Sequence, residues 1–350
     1  MVDQLKRIEE YWKSDALSQS FLKKVLSNDK SDKKDSVQFM VGSLVDCLLT
    51  SPELVDEWFY VSDLEKYPSP QIKEVLDLYY NQLVEEGESI IWNDEKVLKI
   101  FRNVSNSRTG DAKVLEMLYD PYWKELEKAE GRKIVSKEYW TKCMSISMNL
   151  FTNPVTREYF QKTEDSELLF QYPLYWKYKN SEYEYDCKGL ADIVILNHKE
   201  KTVRLVDLKT TSDNLQSWKY NVARRFRYDI QLSFYNYGLH CIFTEKLPDY
   251  IVLNPIVIVE NVDFPGKPRV FELNTDDLYV GRHGCERQER TIVFEKDISE
   301  NALSVDFEIT RIYGWEHAIG LYHKSLVYGL DDFDIEYHEN KGNFSLNLWT

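Results

Sequence analysis

Two aspartates and a lysine stand at the ends of two apolar runs, Gly189-Leu190-Ala191-Asp192-Ile193-Val194 and Val206-Asp207-Leu208-Lys209-Thr210-Thr211. The intervening Ile193-Val194-Ile195-Leu196, Asn197-His198-Lys199-Glu200-Lys201 and Thr202-Val203-Arg204-Leu205-Val206 predict a β-hairpin, because β-branched and apolar runs flank a charged turn. Asp192 and Asp207 then fall on neighbouring strands. Side-chain alternation sends Asp207 and Lys209 to one face and Leu208 into the core. Two carboxylates converging on one point repel unless a cation neutralises them, and a site made of oxygens suits Mg²⁺ or Mn²⁺. Such an ion acidifies a bound water and stabilises charge on a phosphate, with Lys209 placed to orient or deprotonate the water; the chemistry is phosphodiester hydrolysis. An isolated Asp-X-Lys also fits an ordinary exposed hairpin, so its company matters.

Downstream, Ser217-Trp218-Lys219 and the basic cluster Arg224, Arg225, Arg227 lead into Tyr228-Asp229-Ile230-Gln231-Leu232-Ser233-Phe234-Tyr235-Asn236-Tyr237-Gly238-Leu239, an amphipathic segment predicted to be a helix ending near its glycine. Gln231 and Tyr235 share a face one turn apart. Upstream, Gln38-Phe39-Met40-Val41-Gly42-Ser43-Leu44-Val45-Asp46-Cys47-Leu48-Leu49 predicts a second helix. It carries Asp46 among apolar neighbours, where a carboxylate needs a partner because unpaired burial is expensive.

The order Gly42-Ser43-X-X-Asp46, Gly189-Leu190-Ala191-Asp192, Asp207-Leu208-Lys209-Thr210-Thr211, Gln231-X-X-X-Tyr235 resembles the PD-(D/E)XK nuclease superfamily, in particular its RecB-like exonuclease branch and the phage exonuclease VIII (RecE) type. Leu17-Ser18-Gln19-Ser20-Phe21-Leu22-Lys23 is similar to the opening motif of those exonucleases, and Glu184-Tyr185-Asp186-Cys187-Lys188 to the strand before the first catalytic acid. The resemblance covers about residues 15 to 260 and is specific as an ordered set rather than motif by motif. It implies an α/β fold with a restriction-endonuclease-like αβββαβ core, a mixed central sheet flanked by helices, and a helical N-terminal elaboration. It implies metal ligation by Asp46, Asp192, Asp207 and the Leu208 carbonyl, with Lys209 as the catalytic lysine. Gln231 and Tyr235 would orient the site and the DNA backbone, and Thr210 and Thr211 would lie beside the DNA. Many RecB-like relatives carry histidine where this chain has Asp46, which makes the implied coordination more anionic and favours hard cations. Implied with them are Mg²⁺ as cofactor, Mn²⁺ as its substitute, linear duplex DNA ends as substrate, a single-strand-annealing partner, a homo-oligomeric ring, and the cytoplasm of a bacterial host if the chain is phage-encoded. Glu184 sits in a strand of alternating acids and aromatics, where a solvated face explains the charge.

Composition limits the alternatives. Five cysteines without a Cys-X-X-Cys pair argue against a zinc ribbon, a disulfide framework or an iron-sulfur cluster. No secretory segment or bilayer-length apolar run is visible, so a soluble protein is expected. His283 with Cys285, and His317 with His323, lack metal-ligand spacing and are expected in loop or core roles. A net charge of −15 opposes nucleic-acid binding. Lys219, Arg224, Arg225 and Arg227, interleaved with Trp218, Tyr220, Phe226 and Tyr228, are the candidate local channel, where cations meet phosphates and aromatics meet unpaired bases. A solvated connector explains the same segment.

The 350 residues are expected to form one elaborated domain. Residues 1–160 read as mainly helical, with apolar stripes through Val75-Leu76-Leu78-Tyr79-Leu83, Val114-Leu115-Leu118-Tyr119 and Trp140-Cys143-Met144-Ile146-Met148-Leu150. Residues 161–262 read as the catalytic sheet and helix, 263–310 as a β-rich insertion, and 311–350 as a C-terminal helix and tail. A metal-dependent DNA exonuclease is the leading expectation. A catalytically silent DNA-binding or recombination-partner module, and an interaction protein with a regulatory cation site, are the alternatives.

Overall fold

Local signals set many of the element boundaries. In the computed structural model, which describes residues 2–27, 37–293 and 304–328, the chain begins with α1 (Val2–Lys13), β1 (Leu17–Ser18) and α2 (Gln19–Ser27). It continues through α3 (Val37–Thr50), α4 (Val55–Trp58), β2 (Phe59–Ser62), α5 (Pro70–Glu85), α6 (Asp94–Val104), α7 (Asp111–Leu118), α8 (Tyr122–Ala129), β3 (Lys133–Ser136) and α9 (Lys137–Thr152). Then come β4 (Ser166–Lys179), β5 (Glu184–Asn197), β6 (Thr202–Thr211), a π-helical turn (Lys219–Ala223) and α10 (Tyr228–Lys246). Last are β7 (Ile251–Val252), β8 (Ile256–Asn261), β9 (Arg269–Glu272), α11 (Thr275–His283), β10 (Cys285–Val293), β11 (Ser304–Ile312) and α12 (Trp315–Tyr328). Two compact units result: Met1–Ser36 with Asn149–Thr350, and Val37–Met148. The lysine- and aspartate-rich stretch 28–35 and the acidic run 331–336 lie outside the described residues.

The unit Val37–Met148 is helical apart from the parallel pair β2–β3. Its α5 starts where Ser69 accepts the Ile72 N–H and Pro70 fills the first helical position, a combination that satisfies one orphan donor and pre-sets φ. Ile72, Val75, Leu76, Tyr79, Tyr80 and Leu83 then pack with Val97 and Phe101, Val114 and Leu118, and Tyr122, Trp123 and Leu126. Leu78, Tyr119, Met144 and Met148, expected within the apolar stripes, are exposed instead. One helix face is enough to close the core, and Tyr119 turns its hydroxyl to Asp94 (2.7 Å).

The other unit is built on a mixed sheet. β4 and β5 pair antiparallel along nearly their whole length. The other edge of β5 takes β1, in parallel, at Cys187 and Lys188. Further along that edge β6 pairs antiparallel, from Asn197–Thr202 to Ile193–Val206. β6 pairs in parallel with β8, and β8 antiparallel with β9. Within this unit α2, β4, β5, β6, α10 and β8 follow one another in that order along the chain, giving a mixed sheet with helices. All six residues of β8 are buried, as in a strand covered on both faces.

Two details were not read from the sequence. The region 263–310, expected to be β-rich, also holds a helix. β9 joins the main sheet, and α11 forms because Asn274 and Asp277 make reciprocal side-chain to backbone bonds of 2.8 and 3.2 Å. The β10–β11 pair is the part that stands as a separate two-stranded sheet. Secondly, Gly238 lies inside α10, which runs on to Lys246. A Cβ at Gly238 would lie 2.5 Å from Trp176 Cε3, so the glycine exists to let the buried indole against the helix. Gly238→Ala is expected to destabilise by about 1–3 kcal/mol, lowering the melting midpoint by roughly 3–10 °C in a calorimetric comparison with wild type. An unchanged midpoint would show that the indole moves aside at no cost.

Candidate functional site

The hairpin ladder closes at Ile193–Val206, and β1 pairs with β5 only at Cys187 and Lys188. Residues 189–192 therefore have no strand partner on that edge among the described residues, and the hairpin forks there. Asp192 uses the opening: its Oδ2 accepts the Leu208 N–H at 2.8 Å. On the preceding residue of β6, Asp207 is 2% exposed. Its Oδ1 accepts from Gln231 Nε2 at 3.0 Å, and its Oδ2 lies 2.5 Å from Lys209 Nζ. That last contact is a close, buried ion pair. Lys209 Nζ also reaches the Leu208 carbonyl at 3.4 Å.

The electrostatics follow from burial. Desolvation, and then the Asp207 charge, push the Asp192 carboxyl up to about 7, against the opposing pull of Lys209 and the Leu208 N–H. Desolvation works against the Lys209 ammonium, but Asp207 and Asp192 outweigh it and hold the group above its ordinary value. The fork thus keeps a cation between two acids.

Helix α10 completes this face. Gln231 reaches Asp207, and the Tyr235 ring lies on the β5 backbone so closely that a Cβ at Gly189 would be 2.8 Å from its Cδ1. This contact is why a glycine precedes the Leu-Ala-Asp of β5. Burial, with Tyr11, Asp207 and Asp192 nearby, raises the Tyr235 phenol well above its ordinary value, so it is neutral at physiological pH.

The donor set suits a hard cation. Two carboxylates and a carbonyl stand about Leu208 and Lys209, the kind of oxygen donors that a hard cation takes. Among the described residues of this unit no third acid, histidine or cysteine joins them in a metal-binding group. Asp46 belongs to the other unit, on α3, where Thr50 Oγ1 donates to its carbonyl at 2.8 Å and lies 3.5 Å from its Oδ1.

The basic segment divides. Arg227 is committed to Asp229 (2.8 Å) and to the Tyr313 carbonyl (3.0 Å). Lys219 and Arg224 stand 4.8 and 5.6 Å from the ring centroid of exposed Tyr220, and Arg225 stands 5.5 Å from that of exposed Phe226. Phe226 continues a run of near-parallel rings: Phe271 to Trp218 at 5.2 Å, Trp218 to Tyr228 at 5.6 Å, Tyr228 to Phe226 at 6.1 Å. Tyr228 stands 5.3 Å from Lys209 Nζ, so this run begins beside the fork. Lys23 joins it, donating to the Phe226 carbonyl at 2.7 Å, and sequence gave no reason to single it out across such a separation. Thr210 is half-buried, whereas Thr211 is buried and its Oγ1 accepts the Asp213 N–H (3.0 Å) within a turn. Glu184 is occupied by Lys177 (3.0 Å) and Lys179 (3.3 Å) on the strand surface.

No family model matches the chain, and no curated protein does. Among solved structures, a presumed exonuclease from Eubacterium rectale is similar at 12% identity and a TM-score of 0.29, over 62% of this chain and 80% of that one. The protein SSO0001 is similar at 11% identity and a TM-score of 0.23, over 59% of this chain and 80% of its own. Likenesses this weak do not establish a shared fold, and function has to be read from the fork itself. No helix among the described residues is long and apolar enough to cross a membrane.

Proposed function

We propose that the chain is a divalent-metal-dependent nuclease of the PD-(D/E)XK type that hydrolyses phosphodiester bonds at the ends of double-stranded DNA. The observation that carries the reading is the fork, where Asp192 and Asp207 converge with Lys209 2.5 Å from Asp207 and Gln231 3.0 Å from it. Asp192, Asp207 and the Leu208 carbonyl would hold Mg²⁺, with Mn²⁺ able to substitute, and the ion would supply Lewis-acid stabilisation of the phosphate and a more acidic water. Gln231 fixes the rotamer of Asp207 by its hydrogen bond. Leu208 N–H does the same for Asp192. Lys209 stays charged, so its ammonium acts by orienting the attacking water and by neutralising charge on the phosphate as the transition state forms.

The exposed cations around Tyr220 and Phe226 offer phosphate contacts and stacking surfaces next to this site, which answers the objection from overall negative charge. Production of single-stranded tails for recombination, a single-strand-annealing partner and a ring-shaped homo-oligomer belong to the same reading, through the resemblance to exonuclease VIII.

The test is cleavage of end-labelled linear duplex and of closed circular DNA in Mg²⁺, Mn²⁺ or EDTA, with Lys209→Ala alongside. Metal-dependent loss of linear DNA alone, absent in the variant, is the expected result. Cutting of circles would make the protein an endonuclease. An absence of cutting in every metal would reject the enzyme reading.

A further inference from the structure

Phe264 is 80% exposed, yet the turn that carries it is braced from inside the protein. Glu260, fully buried at the end of β8, accepts the backbone N–H of Asn261 at 2.9 Å and of Gly266 at 3.0 Å. Asn261 Oδ1 accepts the N–H groups of Asp263 and Phe264, both at 2.8 Å, while its Nδ2 donates to the Asp213 carbonyl at 2.9 Å. Pro265 restricts the backbone of Phe264 as well as its own, and Gly266 adopts φ +103, a value open to glycine. A buried carboxylate and a buried amide thus hold an aromatic ring out in water. Rigid presentation of an apolar ring lowers the entropic cost of binding something flat.

The position of the turn identifies what that is. Thr211 and Asn261 are register partners, as are Lys209 and Val259, so the turn starts two residues beyond Lys209. That is about 7 Å, the rise of two base steps along one strand of a duplex. Arg269, the partner of Val259 on β9, lies level with Lys209 two strands away and on the same face, at about 10 Å. A ring on a braced turn that starts about 7 Å along the strand from Lys209, and a cation level with Lys209, are groups that suit the base and the phosphate of a neighbouring nucleotide.

We infer that Phe264 stacks on a base of the DNA strand whose phosphate lies at Lys209, holding the end of the duplex in register for cleavage. The inference rests on the nuclease reading above, and its test separates the two. Duplexes carrying 2-aminopurine at each of the first four positions from the end are titrated in EDTA with wild type, Phe264→Ala and Phe264→Tyr, and the same proteins are assayed for cleavage in Mg²⁺. Wild type and Phe264→Tyr should quench the probe at one position. Phe264→Ala should lose that quenching, bind about 10-fold more weakly and cut correspondingly more slowly, because one base–aromatic stack contributes roughly 1–3 kcal/mol. Because the ring is exposed, an unchanged melting curve for Phe264→Ala confirms that folding is intact. Position-specific quenching that needs Phe264, without cleavage by wild type, would uphold the stack and reject the nuclease. Equal quenching and equal cutting by wild type and Phe264→Ala would overturn the stack and leave the nuclease standing. Absence of any DNA binding by wild type would overturn both.

Discussion

Lys209→Ala is expected to slow cleavage of end-labelled duplex by about 10²- to 10⁴-fold, the range associated with losing a positioned proton-transfer or charge-stabilising group. The side chain is 19% exposed, and its ammonium lies 2.5 Å from Asp207 Oδ2. Removing it leaves two acids facing each other, and in most proteins an uncompensated buried charge threatens folding. Here Asp192, already pushed up to about 7, relieves the repulsion by taking a proton. The variant should therefore keep its far-UV circular dichroism while losing single-turnover activity. Lys209→Arg should not rescue it, because a planar guanidinium cannot replace a compact ammonium in that space. Wild-type cleavage rates in Lys209→Ala would remove the lysine from the mechanism.

The second large effect is on stability in the absence of metal. The folded chain keeps a proton on Asp192 up to about pH 7, whereas in the unfolded chain the same carboxyl titrates near 3.8. Between those values the folded state binds more protons, so stability falls as pH rises and levels off above the folded value. Melting in EDTA should show this decline in wild type, and Asp192→Asn should lack it. At pH 8, Mg²⁺ should raise the wild-type midpoint by binding the ionised pair, with no comparable rise in Asp192→Asn or Asp207→Asn. A decline that persists unchanged in Asp192→Asn would assign the titration elsewhere. A midpoint indifferent to Mg²⁺ in wild type would argue against cation binding at the fork.

Neither effect depends on the comparisons with solved structures, whose TM-scores of 0.29 and 0.23 are too low to argue from. Both depend on how side chains at the fork are paired, and that pairing was only partly legible beforehand. Apolar, β-branched runs on either side of a charged turn specified the hairpin in 193–206, and the two-residue repeat of a strand placed Asp207 and Lys209 on one face. Helical spacing likewise put Gln231 and Tyr235 on one side of α10. The Ser69-Pro70 start of α5 is local chemistry of the same kind.

Other features turn on contacts between distant segments. Gly238 makes space for Trp176, a requirement that comes from β4 rather than from its neighbours in sequence. Asn274 and Asp277 did form a local capping box, yet the β-like residues around them masked it. Phe264 was an unexceptional loop residue until Glu260 and Asn261 were seen to brace its turn. By itself, then, the sequence determined the strands and the helix faces through short-range periodicity, and marked Asp192, Asp207 and Lys209 by residue type and by their resemblance to a nuclease motif. Tertiary structure decided that the hairpin ladder stops at Ile193–Val206, so that Asp192 takes the Leu208 N–H and meets Asp207 and Lys209. That outcome depends on β1, β8 and α10 competing for the same edges and face, a competition that no single stretch of residues records.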